Sequence, residues 1–281
     1  VFSLSTAWMA GITLPGLNET AEGPLLYEEF RPANERIESA WRFAMEDPHD
    51  PPQAEHIIVP DGLVSVQASI ADDRPVGIRV LGPGTGARIV TVERGTRFAG
   101  LRLWPGVAAG LLDTSPETLR DDAAPLPERH QGWVAHALAA IWSGRNCELP
   151  TARCDARVLT AARAIRDRGG MVVIEALAAE AGLSARQFRD RFGREAGLSP
   201  KAFAQVRRQR EAWIALVTRR SGSLTAASHD AGYADQAHFT RAARAAFGAR
   251  PLDILADVGS VAHPFGWPWA WPRGSGRGRN R

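Results

Sequence analysis

Short apolar runs with alternating polar positions fill residues 24 to 110 and predict β-strands. The runs lie at residues 57–59, 63–66, 78–81, 89–92 and 98–103. Turn-forming residues separate them at 60–62, 72–75 and 82–86. Several short strands punctuated by Gly and Pro are typical of a β-sandwich or barrel. The Gly-rich segment 82–86 lies between two predicted strands rather than before a helix, so it predicts a turn and not a phosphate-binding loop.

The spacing of apolar residues changes to a helical period after about residue 115. Ser115 followed by Pro116 predicts a helix start, because Pro is favoured at the first helical position. Residues 132–142 and 156–168 also have helical spacing. From 171 to 256 the pattern predicts short helices joined by turns that contain Gly. The chain is therefore expected to have an α+β fold, with a β-rich domain followed by an all-α domain.

One segment of the helical region recurs after 50 to 51 residues. Its first copy contains Ala181, Gly182, Phe188, Phe192, Gly197 and Pro200. The second copy has, at the corresponding positions, Ala231, Gly232, Phe239, Ala243, Gly248 and Pro251. In each copy a short Ala-rich helix ends at a Gly and a second helix follows. This arrangement predicts two helix-turn-helix units.

The second helix of the first copy has an apolar and a polar face. Ser184 and Gln187 predict a capping box at its start, and Phe188 and Phe192 lie one turn apart on the apolar face. The polar candidates for DNA contact are Arg186, Gln187, Arg189 and Asp190. Arg can bond guanine, and Asp can accept from cytosine. A salt bridge that orients a neighbouring Arg is an equally open role for Asp190.

The second copy carries its own polar face. Asp235 predicts the N-cap and Phe239 the apolar anchor. The candidates for DNA contact are Gln236, Ala237, Thr240, Arg241 and Arg244. Gln can bond adenine, small apolar groups can contact the thymine methyl, and Arg can bond guanine or phosphate. One such face is typical of a solvated helix, but two copies in register predict that the chain binds double-stranded DNA.

The formal net charge of +3 hides an asymmetry along the chain. Residues 1–155 contain 13 Arg against 21 Asp and Glu, whereas residues 156–256 contain 17 Arg and Lys against 9 acidic residues. A basic half joined to an acidic half indicates a polyanionic partner, although drift of surface charge is the alternative.

Residues 157–256 resemble the AraC/XylS family of transcription regulators. The matching residues include Leu177, Gly182, Arg191, Phe192, Pro200, Phe203, Arg208, Gly232, Tyr233, Arg241 and Pro251. The resemblance implies that a long helix at about 200–219 joins the two units. It also implies that both recognition helices enter successive major grooves, roughly 34 Å apart.

The second copy departs from the family pattern. Smaller or more polar residues replace the family's apolar ones at Ala227, Ser228 and Ala243, and Gln209 replaces a usual Leu in the joining helix. Loss of apolar volume from a small core weakens it. We therefore hypothesise that the second unit is looser and contributes less to base recognition.

Residues 24–127 resemble the cupin-like sensory domain that precedes some AraC-type modules, on segments 27–32, 58–62 and 98–106. The resemblance implies a β-rich sandwich or barrel that holds a small effector. The candidate effector contacts are Trp41, His56, Arg102 and Trp104, with core packing as the alternative role for the aromatic residues. Because the sequence has no clustered His/Glu motif of the cupin type, no metal or other cofactor is expected.

These patterns divide the chain into five segments. We expect an N-terminal extension at 1–23, the sensory domain at 24–127, a helical linker at 128–155, the DNA-binding domain at 156–256 and a disordered tail at 257–281. The start of the chain is a poor signal peptide, and no segment reaches eighteen apolar residues. We therefore expect a cytoplasmic protein without a membrane partner.

Two rival functions compete with the regulator. The first is an enzyme, either of the cupin type or a DNA-repair methyltransferase. The methyltransferase would need an activated cysteine. Cys147 and Cys154 lie in a polar connector, which offers no such activation. The other is a degenerate regulator that pairs but no longer binds a specific sequence. We expect a non-enzymatic regulator, with a small effector, RNA polymerase and a second copy of the chain as further candidate partners.

Overall fold

Eight β-strands lie within the part of the chain that the computed structural model describes, which comprises residues 25–46, 48, 52–217 and 223–248. The strands are β1 (Leu25–Phe30), β2 (Ile37–Met45), β3 (Gln53–Ile58), β4 (Val64–Ala71), β5 (Arg74–Leu81), β6 (Arg88–Glu93), β7 (Thr96–Leu103) and β8 (Ala123–Pro125). The predicted N-terminal extension, the predicted tail and Pro251 lie outside the described residues.

The strands form two antiparallel sheets. The larger sheet has the order β1-β2-β7-β4-β5-β8, and β3 pairs with β6 in the smaller one. Asp72 and Asp73 turn the chain between β4 and β5 with φ of 48° and 56°, the left-handed conformation that a two-residue hairpin turn requires. The predicted turn at 72–75 is thus shorter than expected. Pro75 already lies in β5, opposite Ile70, and β5 meets β8 only from Arg79 onward, so the missing N–H of this proline costs no hydrogen bond to β8.

Eight α-helices lie within the described residues, the first of them between β7 and β8. They are α1 (Ala108–Leu112), α2 (Glu128–Trp142), α3 (Ala156–Asp167), α4 (Ile174–Glu180), α5 (Ala185–Ala196), α6 (Pro200–Val217), α7 (Leu224–Asp230) and α8 (Gln236–Phe247). The helix start expected at Ser115 is a single 3-10 turn, Pro116–Leu119, with Pro at its beginning. The predicted α+β order of a β-rich region followed by paired helix-turn-helix units is confirmed.

A continuous apolar core connects the larger sheet with the first helix-turn-helix unit. Its fully buried members include Leu101 in β7, Ile141 in α2, Ile165 in α3 and Phe192 in α5. The second unit has a separate and smaller core around Tyr233 and Phe239. Burial of apolar surface therefore joins the first unit to the β-domain much more extensively than it joins the second.

Candidate nucleic-acid interface and cavity

The start of α5 has the capping box that its sequence predicts. Ser184 Oγ accepts a hydrogen bond from the amide of Gln187 at 3.3 Å, and Gln187 Oε1 accepts one from the amide of Ser184 at 3.0 Å. On the apolar face Phe188 and Phe192 are fully buried, and the Phe192 ring lies 5.5 Å from that of Phe203. These contacts fix the rotation of α5, so its opposite face must point outward.

The outward face of α5 carries the residues predicted to contact DNA. Arg186, Gln187, Arg189 and Asp190 are all exposed. Arg186 Nε lies 3.9 Å from Asp190 Oδ2, with 89% and 68% of the two side chains accessible. The first unit therefore presents two arginines, one of them beside a carboxylate that can orient it.

Arg191 holds α5 in place from a different face. Its guanidinium donates to Asp155 Oδ2, a carboxylate that also caps α3 by accepting from the amide of Val158. Because Asp155 is buried and paired, this contact ties the recognition helix to α3. Arg191 is thus a structural residue and not one of the exposed DNA candidates.

The second recognition helix, α8, begins at the predicted cap. Asp235 Oδ1 accepts from the amide of His238 at 2.6 Å. Gln236, Ala237, Arg241 and Arg244 are exposed, and Thr240 is half-buried. The Gln236 side chain is also engaged locally, because its Oε1 accepts from the hydroxyl of Thr225 at 3.1 Å. A base contact by Gln236 would compete with that bond.

The core of the second unit is built from small residues around two rings. Ala227, Ser228 and Ala243, the positions that depart from the family pattern, are all buried. Ser228 Oγ donates to the carbonyl of Thr225, so its hydroxyl is satisfied rather than orphaned. Tyr233 also stacks against the Arg208 guanidinium, 4.1 Å from its ring centre.

A cavity of about 340 Å³ lies in the β-domain and is lined from both sheets. Of the four predicted effector contacts, Trp41 and Arg102 line it, and the Arg102 guanidinium lies 5.9 Å from the Trp41 ring centre. Trp104 is not among the lining residues; it is buried beneath the guanidinium of Arg166, 4.8 Å from its ring. The side chain of His56 lies outside the described part of the structure.

Buried ion pairs connect this cavity to α6. Arg102 Nε lies 2.5 Å from Asp61 Oδ2, and its Nη1 lies 3.1 Å from Glu29 Oε1. From α6, Arg210 Nη2 lies 3.4 Å from Glu29, and its side chain also lines the cavity. One turn earlier on α6, Arg207 Nη2 pairs with Glu38 Oε1 at 2.9 Å. We call these six residues the interdomain ion cluster.

Sequence patterns did not identify five of the six members of this cluster. Arg207 and Arg210 are spaced three residues apart, as polar residues on a solvated helix face also are. The acidic members lie on β-strands and a turn far away in sequence. The sequence gives only a weak signal for this cluster, because its arginines and its carboxylates come together only when the chain folds.

The pKa values of both cysteine thiols are raised above the ordinary thiol value. Burial raises the pKa of the Cys147 thiol to about 11. Desolvation, together with the nearby carboxylates of Asp155 and Glu195, also raises the pKa of Cys154. A reactive cysteine requires the opposite shift.

Metal-binding clusters and membrane-spanning helices are both absent from the described residues. These residues contain no group of three or more His, Cys, Asp or Glu side chains arranged to hold a metal. Each helix in the described ranges is too short or too polar to span a lipid bilayer.

Comparison with known proteins places the helical region in a family. The family described as "Helix-turn-helix domain" matches residues 177–256. A probable AraC family transcriptional regulator from Rhodopseudomonas palustris is 30% identical over 37% of this chain and 98% of its own, with a TM-score of 0.34. No curated protein matches.

Structures of ToxT from Vibrio cholerae are similar over a longer stretch but at low identity. ToxT with a bound unsaturated fatty acid is 10% identical over 85% of this chain and 97% of its own, with a TM-score of 0.39. A second ToxT structure is 10% identical over 83% of this chain and 97% of its own, again with a TM-score of 0.39. Family membership rests instead on the helix-turn-helix match and on the Rhodopseudomonas regulator, which this chain covers almost completely. This chain belongs to the AraC family of transcriptional regulators and carries that family's DNA-binding units.

Proposed function

We propose that this protein is a cytoplasmic, non-enzymatic regulator that inserts α5 and α8 into two neighbouring major-groove segments of DNA. The observation that carries the proposal is the pair of capped helices in one chain, each with a buried aromatic anchor and an exposed basic face. The proposed base contacts are Arg186, Gln187, Arg189 and Asp190 in the first unit, with Gln236, Ala237, Thr240, Arg241 and Arg244 in the second. The proposed DNA-binding domain spans 156–256 and the sensory domain 24–127, with a linker at 128–155.

The two units are proposed to contribute unequally. Arg186 and Arg189 lie on a helix whose core is shared with the β-domain. In the second unit Thr240 is half-buried and Gln236 already bonds Thr225, on a smaller core. If a recognition helix is held less firmly in the free protein, ordering it on the DNA costs more conformational entropy, and its contacts then contribute less to the binding free energy.

Selection of bound duplexes from a random DNA pool, using the full chain, tests this function. We expect one enriched motif with two blocks about ten base pairs apart, because two readers on one DNA face are separated by about one helical turn. Binding is also expected to weaken steeply with added salt, since Arg–phosphate contacts release counterions. A pool without any enriched motif would contradict the proposal and favour a degenerate regulator.

Single substitutions measured on the enriched duplex distinguish the two units. Loss of Arg186 (R186A) should weaken binding by about tenfold or more, within the range of about 1–3 kcal/mol for an Arg–guanine pair. Thr240→Ala should have a smaller effect. Arg157→Ala, which removes the same charge from an exposed position on α3, is the control. Equal losses for Arg186→Ala and Thr240→Ala would refute the inequality.

A small-molecule effector in the cavity is the second part of the proposal. The volume of about 340 Å³ lies at the lower end of ligand pockets, which span roughly 300–1,000 Å³. Trp41 and Phe98 supply apolar walls, and Arg102 supplies a charged group. Because Arg210 reaches the same cavity from α6, a bound molecule would contact both domains. RNA polymerase and a second copy of the chain, paired through the sensory domain or through α2, are the other proposed partners.

Filling the cavity tests the effector site. The fluorescent probe anilinonaphthalene sulfonate is expected to bind the wild-type chain, and Ser69→Trp, which places a large ring in the lining, should weaken binding by about tenfold or more. Val173→Trp adds the same ring at an exposed position before α4, outside the lining, and serves as the control. Equal probe binding by both variants would argue against this cavity as the site.

A further inference from the structure

A loop of the β-domain contacts the C-terminal end of the second recognition helix. The loop spans residues 82–87 and connects β5 to β6. The amide of Ala87 donates a hydrogen bond to the carbonyl of Ala246 at 2.6 Å, one residue before the end of α8. The last carbonyls of a helix have no partner inside the helix, so this bond satisfies one that the helix leaves open.

A second segment of the β-domain contacts the end of the first recognition helix. Arg120 Nε donates to the carbonyl of Gly197, the residue that caps α5, at 2.9 Å. Gly197 also packs directly on the 3-10 turn, where an added Cβ would lie 2.6 Å from the carbonyl of Pro116. With its φ of 71°, Gly197 is the residue type that permits both the cap and the close contact.

These two segments are bonded to each other. The amide and hydroxyl of Thr85 donate to the two oxygens of Asp121 at 2.6 and 2.7 Å. In return the amide of Asp121 donates to the carbonyl of Pro83 at 3.2 Å. The amide of Gly82 also donates to the backbone carbonyl of Asp122, at 3.0 Å. An unbroken chain of contacts therefore runs from α5 to α8 through the β-domain, separate from the covalent connection through α6.

We propose that segments 82–87 and 116–122, here called the clamp, fix the orientation of the two recognition helices relative to each other. Asp121 is the positioning residue, because its carboxylate joins the two segments. This inference rests on the proposed function, in which both α5 and α8 bind DNA. Each added base pair rotates the second groove segment by about 35° and moves it by about 3.4 Å. A clamped pair of helices accepts one spacing of the two DNA blocks, whereas a released pair accepts several.

The clamp also forms part of the cavity wall. Gly82, Gly84 and Gly86 all line the cavity, and the carbonyl of Gly84 accepts from the amide of Gly62 at 3.1 Å. Without side chains, these glycines place the backbone itself against any bound molecule. Occupation of the cavity would therefore act on the spacing of the two recognition helices and not on the bases that each one prefers.

The test uses the full chain and duplexes that carry the selected two-block motif with its spacing changed by up to two base pairs in either direction. For the wild type, affinity should fall by about tenfold or more at two added base pairs. For Asp121→Gly that fall should shrink to about threefold or less, with affinity for a single-block duplex unchanged. Gly suits this position because Asp121 has a φ of 56°, which Gly adopts without strain.

Two further variants complete the design. Asp72→Gly removes the same charge from an exposed residue outside the clamp, in the β4–β5 turn, whose φ of 48° is close to that of Asp121, so its spacing profile should match the wild type. Thr85→Val removes one of the two bonds to Asp121 and should give an intermediate profile, which keeps the test valid if Asp121→Gly folds poorly. Identical profiles for all four proteins, or a flat profile for the wild type, would overturn the clamp alone. Absence of any enriched motif would overturn the proposed function with it.

Discussion

Replacing Glu38 with alanine is expected to lower the free energy of unfolding by about 3–5 kcal/mol, as the removal of one partner from a buried ion pair does. Glu38 and Arg207 are only 6% and 2% exposed, and their charged atoms lie 2.9 Å apart. Without Glu38, the Arg207 guanidinium would stay buried with no carboxylate to compensate it. Urea unfolding of the full chain, followed by circular dichroism, measures the change.

A matched exposed pair and a double variant are the controls. Glu180 pairs with Arg168 at 3.4 Å with about half of each side chain exposed, so Glu180→Ala should cost less than about 1 kcal/mol. Combining Glu38→Ala with Arg207→Met should recover most of the loss, since apolar groups replace a buried pair at little cost. If Glu38→Ala costs no more than Glu180→Ala, the pair is not buried in the folded protein as described.

The pair formed by Glu38 and Arg207 should also make the free energy of unfolding of the wild type depend on pH in the acid range. Burial alone would raise the pKa of Glu38, but the guanidinium groups of Arg207, Arg210 and Arg102 outweigh it and lower the pKa from 4.5 to about 2. The carboxylate therefore stabilises the fold above pH 4.5, and this contribution, about 3 kcal/mol, is lost as the pH falls from 4.5 towards 2. Glu38→Ala should lack this part of the pH dependence.

Features that depend on neighbouring residues were accessible from the sequence. The capping box of α5, the Asp235 cap of α8 and the buried rings of Phe188 and Phe192 each follow from spacings of three or four residues. Such spacings determine which residues meet on a helix, whatever the rest of the chain does. For that reason the sequence alone is enough to orient the first recognition helix and to name its exposed face.

Features that depend on distant residues were not accessible. Glu38 and Arg207 are 169 positions apart, and the clamp joins Thr85 to Asp121. None of the predicted strand runs covered β2, because Glu38 and Ser39 are polar yet buried and interrupt its apolar pattern. Trp41 and Trp104 looked equivalent as candidates, and only the packing of the sheets places one beside the cavity and the other beneath Arg166.

Phe192→Ala is expected to destabilise the whole described fold by about 3–5 kcal/mol, the usual cost of removing a buried ring. Phe192 is fully buried, and its ring lies 5.7 Å from Phe188 and 5.5 Å from Phe203. Its core cluster extends into the β-domain, so the cavity left by the ring would weaken both regions. Urea unfolding monitored by circular dichroism should show one transition at lower urea concentration.

Phe239→Ala in the second unit is the matched comparison, because it removes the same ring from α8. Phe239 is 3% exposed but belongs to the separate core around Tyr233 and Ala227. Its loss should release the second unit while leaving the main transition near its wild-type position, with hydrogen exchange accelerated over 224–247. If the two variants shift the main transition equally, the second unit is joined to the rest of the fold as firmly as the first. The hypothesis of a looser second helix-turn-helix unit would then be wrong. If only Phe192→Ala shifts the main transition, the second unit is the more loosely held of the two, as the hypothesis requires.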